Sequence, residues 1–126
     1  MGHRKIEIRK LEDGWRFEIL PGNNHSQPMG ISPIYLSLSE CEKQKNIFCN
    51  LVTANCLYEE KTPFIVVIKD EATQYYRFCY KDATGVVILS SKRGYNQKAN
   101  YKKAIKSIYN AVLENSLIMN DIKKEV

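Results

Sequence analysis

The chain opens on alternation. Across residues 5–11, Ile6 and Ile8, with Lys10, fall on one side while Lys5, Glu7 and Arg9 fall on the other, the period of a half-buried strand. Asp13-Gly14 supplies turn chemistry, because glycine tolerates the backbone that tight hairpins demand. Trp15, Phe17 and Ile19 then alternate with Arg16 and Glu18, which predicts the return strand. Residues 21–33, rich in Pro, Gly and Asn, predict a loop, and a short third strand around Met29–Ser32 is expected only by analogy with the passage that follows the helix. Pro28 and Pro33 place that strand near a sheet edge. The period then changes. Ile47, Phe48, Leu51 and Val52 recur at helical spacing, and Ser39 with Glu42 fits a capping box, so a helix is expected from Glu40 to about Ala54.

The same order returns after a connector, residues 55–63, whose Thr62-Pro63 disfavours helix. Residues 64–68 are apolar on both faces, as in a central strand covered on both sides. Tyr76, Phe78 and Tyr80 alternate with Arg77, Cys79 and Lys81, Asp82-Ala83-Thr84-Gly85 predicts a turn, and Val86 to Ser90 or Ser91 a further strand. Asn100 reads as the cap of a second helix with the apolar stripe Tyr101, Ile105, Ile108, Tyr109 and Val112. The tail beyond Glu114 keeps Leu117, Ile118 and Ile122, and either extends that helix or folds back as a short extra one.

The two passages correspond. Trp15-Arg16-Phe17 stands about sixty positions before Tyr76-Arg77-Phe78, and Ser39, Ile47, Phe48 and Leu51 precede Asn100, Ile108, Tyr109 and Val112 by the same interval. A tandem duplication is expected, with a first repeat over about 4–58, a second over about 63–115 and a tail over 116–126. Each repeat is only about fifty residues, a size marginal for independent folding, so the two should share one core as a single compact domain. The expected class is α+β: two strand-strand-strand-helix repeats forming one antiparallel sheet with two helices on one face.

Gly85-Val86-Val87-Ile88-Leu89-Ser90-Ser91, then Gly94-Tyr95 and Lys98, then Ala104-Ile105-Lys106-Ser107-Ile108 resemble the YegP-like uncharacterised proteins. These are small bacterial domains whose motif reads roughly G-x-V-I-x-x-S-E-G-Y-x-x-K before a helix with I-x-S-V. The resemblance covers the second repeat, about two fifths of the chain. Lys92-Arg93 stands here in place of the motif's acid, with one extra residue, and the first repeat keeps only Ile31-Ser32, Tyr35 and the helix. The resemblance implies the doublet fold and brings no biochemical activity with it.

Composition narrows the classes. No apolar run approaches the roughly twenty residues that span a bilayer, and the start of the chain lacks a secretory apolar core, so a cytoplasmic location without a membrane partner is expected. Cys41, Cys49, Cys56 and Cys79 form no CxxC pair, and His3 and His25 are the only histidines, so zinc-finger spacing is absent and free thiols are expected. Cys41 and Cys49 lie two helical turns apart, too far to share a metal unaided, and no histidine neighbours any cysteine to activate it. No phosphate-cradling glycine loop is present. No catalytic residue, metal or cofactor is therefore assigned.

Charge gives the one lead. The chain carries +5 overall, and no acid lies between Asp82 and Glu114, where Lys92, Arg93, Lys98, Lys102, Lys103 and Lys106 are interleaved with Tyr95 and Tyr101. Lysines so spaced neutralise phosphates, and tyrosines stack on unpaired bases. The same residues equally suit a solvated helix face with its tyrosines in the core. Arg16 and Arg77 recur at equivalent positions, where each suits either an anion or a cross-strand acid such as Glu7 or Glu18. Two functions fit. The first is a non-enzymatic interaction module whose partner is another protein or a second copy; the alternative is a nucleic-acid-binding module using the basic stripe. A monomer is expected, since the repeat is already doubled within the chain.

Overall fold

The computed structural model describes residues 4–22, 27–61 and 63–125, with side chains as far as Asn115. His3 and His25 lie outside the described residues. The elements in chain order are β1 (Lys5–Leu11), β2 (Gly14–Leu20), β3 (Gly30–Ile31), α1 (Leu38–Ala54), β4 (Ile65–Lys69), β5 (Tyr76–Lys81), β6 (Val87–Ser91) and α2 (Lys98–Glu125). All six strands join one antiparallel sheet in the order β1-β2-β3-β6-β5-β4. The fold is α+β, with α1 against β2 and β6 and α2 against β1, β2 and β5.

Alternation in the strands sets the core. Ile6 faces Ile19, Ile8 faces Phe17 and Lys10 faces Trp15 across β1 and β2, while Ile65 faces Tyr80 and Val67 faces Phe78 across β4 and β5. Over these rows lie Cys41, Phe48 and Val52 of α1 and Tyr101, Ile105, Ile108 and Val112 of α2, all buried. Phe48 ties the two halves together, its ring 5.7 Å from that of Phe17 and 5.3 Å from that of Tyr80. The other sheet face is polar at one end, where Arg16 Nη2 lies 2.7 Å and Arg9 Nη1 3.7 Å from the buried Glu18 carboxylate. Arg77 is exposed and forms no ion pair among the described residues.

Several expectations change. β3 is central, flanked by β2 and β6, because Pro28 and Pro33 fall just outside the two residues, Gly30 and Ile31, that form the ladder. β4 is an edge strand, and its second apolar face is uncovered: Ile68 is exposed. The β1–β2 turn is Glu12-Asp13, and Gly14 opens the return strand. Ser37 caps α1, its hydroxyl accepting from Glu40 N at 3.2 Å, two residues earlier than Ser39. Asn100 lies inside the first turn of α2, and the tail extends that helix. Ile47 is exposed, so the buried stripe of α1 runs through Phe48.

The two βββα units make the same bonds. Ser32 Oγ accepts from Phe17 N at 2.9 Å, and Ser91 Oγ from Phe78 N at 3.2 Å, each buried hydroxyl serving an amide at the same place in its unit. Trp15 bridges to Tyr35 as Tyr76 bridges to Tyr95. Counterparts lie sixty-one positions apart in β2 and β5 (Phe17 and Phe78), fifty-nine in β3 and β6 (Ser32 and Ser91) and sixty in the helices, where burial matches Cys41, Phe48 and Val52 with Tyr101, Ile108 and Val112, one position away from the spacing that set Phe48 against Tyr109. If Ser32 matches Ser91, then Ile31 matches Ser90, and these two pair with each other across β3 and β6. A local two-fold runs through that pair.

Candidate functional site: a groove at the start of the second helix

The groove begins at a close crossing. The segment after β6 runs back beside the start of β5, and Tyr76 and Tyr95 exchange backbone hydrogen bonds of 2.7 and 2.8 Å. A side chain at Gly94 would sit 3.0 Å from Tyr75 Cβ, so glycine lets this crossing close while the Tyr75 ring stays largely exposed. The other unit solves the same crossing from the opposite side: a side chain at Gly14 would collide with the Tyr35 carbonyl and lie 2.8 Å from Ile34 Cγ2.

Tyr95 forms the floor, buried and stacked on Phe78 with ring centroids 6.1 Å apart. Arg93 is held at the rim, its guanidinium carbon 5.1 Å from the centre of the Tyr95 ring. Asn96, Asn100 and Lys103 come from the approach to α2 and its first turns, and Pro28 and Met29 close the groove from the first unit. The groove, open to solvent along one side, has a volume of about 800 Å³. Ser107 lies at its base, where its hydroxyl accepts from Arg4 Nε at 2.9 Å.

Lys92, Arg93, Lys98, Lys102, Lys103 and Lys106 are all exposed, whereas Tyr95 and Tyr101 are buried. Tyr101 donates its hydroxyl to Glu60 at 3.1 Å, and burial, then that carboxylate, push its ionisation up. The stripe also divides. Arg93 and Lys103 line the groove, while Lys102, Lys103 and Lys106 border a second hollow with Tyr58, Glu59 and Glu60. Thus the acid-free run in the sequence lies beside two acids of the connector. Lys92 and Lys98 line neither hollow. Tyr75, Asn96 and Met29 were not singled out, because three separate segments bring them together.

The cysteines offer little chemistry. All four are free thiols, and burial pushes Cys49 up to about 11, away from the thiolate a nucleophile needs. Among the described residues no three His, Cys, Asp or Glu side chains are grouped to hold a metal, and no helix is long and apolar enough to cross a membrane.

The class so defined is a six-stranded antiparallel sheet with two helices on one face. No protein-family model matches the sequence, and no curated protein matches it significantly. The fold is that of yegP from E. coli, a protein of unknown function whose solution NMR structure matches with a TM-score of 0.66. The match covers 89% of this chain and 88% of that one at 22% identity. The YegP-like resemblance read in the second unit therefore extends, as a fold, over both.

Proposed function

We propose that the chain is a non-enzymatic interaction module that holds a protein partner at the entry to α1. One observation carries this reading: Leu36 is 91% exposed, with Ile34 and Leu38 exposed on either side of it in the chain and Ile47 exposed further along α1. Single exposed apolar residues are ordinary, but a contiguous group marks a contact surface. Gly94, Asn96 and Ser107 stand at the matching places of the second unit. Those counterparts are small or polar, so the fold itself does not require an apolar surface here. We further propose that the two units arose by duplication and that the chain is a monomer. Immobilised wild-type chain should retain a partner from native extract that Leu36→Lys/Ile47→Lys loses, with both chains monomeric by sedimentation and equally folded by circular dichroism. Equal retention by the two would remove the patch from function.

The nucleic-acid reading keeps its exposed cations but loses both ring platforms, since Tyr95 and Tyr101 are buried. Replacing Lys98, Lys102 and Lys106 with Gln would make any nucleic-acid binding weaker and its salt slope shallower, by about 0.7–0.9 for each phosphate left without its cation. An unchanged slope would leave the stripe as a solvated face.

A further inference from the structure

We propose that the groove between Tyr75 and the start of α2 binds a small phosphorylated ligand carrying a flat ring, of nucleoside-monophosphate size. Charge argues first. Among the described residues Arg93 and Lys103 line it, no acid does, and no acid forms an ion pair with either cation, Lys103 lying between this groove and the hollow of Glu59 and Glu60. The first turn of α2 also contains no acid, whereas the first turn of α1 contains Glu40.

The remaining groups suit the rest of such a ligand. Tyr75, 47% exposed, lines the groove and brings an aromatic ring to it, and Met29 adds apolar surface. Asn96 and Asn100 each bring a carboxamide that donates and accepts, the chemistry that reads the edge of a heterocycle. A volume of about 800 Å³ falls within the range of small-molecule sites.

The first unit supplies a control within the same molecule. At the positions matching Arg93, Asn96, Asn100, Lys103 and Ser107 it carries Pro33, Leu36, Glu40, Lys43 and Ile47. The two units thus share one lysine, and differ in that the second adds Arg93 and two amides where the first has a proline, a leucine and an acid. Folding does not call for Arg93 or the amides.

The test is a titration of the ¹⁵N-labelled full chain with AMP, GMP, CMP and UMP in parallel with inorganic phosphate. The amides from Arg93 to Asn100 and that of Lys103 should shift together. At least one nucleotide should bind about tenfold more tightly than phosphate, the contribution expected of ring stacking. Tyr75→Ala should remove that advantage while leaving phosphate binding intact, and Arg93→Gln/Lys103→Gln should weaken both probes by about tenfold or more. The proposal is overturned if these amides stay still at millimolar nucleotide, or if phosphate binds as tightly as every nucleotide. It is equally overturned if the double Gln variant binds as the wild type does. Affinity that rises with the length of an oligothymidylate would assign the groove to a nucleic-acid strand and also overturn it.

Discussion

Tyr80 is the largest side chain with no accessible surface, and its hydroxyl has no hydrogen-bond partner among the described residues. Burial pushes its ionisation far up. The ring is in place for packing, lying 5.3 Å from Phe48 and 6.0 Å from Phe78 in edge-on contacts. A buried oxygen that no described protein group bonds opposes folding. Tyr80→Phe should therefore raise stability by about 1 kcal/mol, as measured by urea denaturation. A decrease of similar size would mean that the hydroxyl is satisfied. At this scale the sequence was informative about burial and poor about chemistry. Phe17, Phe78, Tyr101 and Ile108 announced themselves by period, but nothing local distinguished Tyr95, packed inward, from Tyr75, left outside.

Among elements, the start of α1 separates two neighbouring serines. Ser37 Oγ accepts from Glu40 N, whereas Ser39 sits within the helix with its hydroxyl 3.4 Å from that of Ser37. Ser37→Ala should cost about 1 kcal/mol of stability, and Ser39→Ala should stay within about 0.5 kcal/mol of wild type. Equal effects in thermal denaturation would place the cap elsewhere. Element type and order were legible because alternation and helical spacing are local. Position in the sheet was not. The apolar run of β4 reads as a central strand and lies at an edge, while the proline-flanked β3 reads as an edge and lies at the centre. Which strands meet is decided by the second unit, and no window of one strand contains that information. The same limit hid the groove, whose walls come from residues near 28, 75 and 96–107.

For the whole molecule, the two units are interlocked rather than abutted. Phe48 of α1 packs on Tyr80 of β5, and Arg4 at the start of the first unit donates to Ser107 and Glu114 of α2, at 2.9 and 3.1 Å. Excising residues 64–126 would bare the β6 edge that β3 covers and strip Phe48 from Tyr80. A fragment of about sixty residues buries too little to stand alone. It should pair with itself in a concentration-dependent way or fail to fold. A monomeric fragment that melts cooperatively at micromolar concentration would contradict this.

The two-fold through Ile31 and Ser90 has a consequence for what such a molecule is free to become. In a dimer of identical chains every substitution is written twice, so a gain at one surface is imposed on the other. Joining both units in one chain lifts that obligation. Leu36 and Asn96 occupy matching places, yet each can change without its twin, and so can Glu40 and Asn100. Under the duplication proposed above, one half is free to keep an apolar surface and the other a charged one.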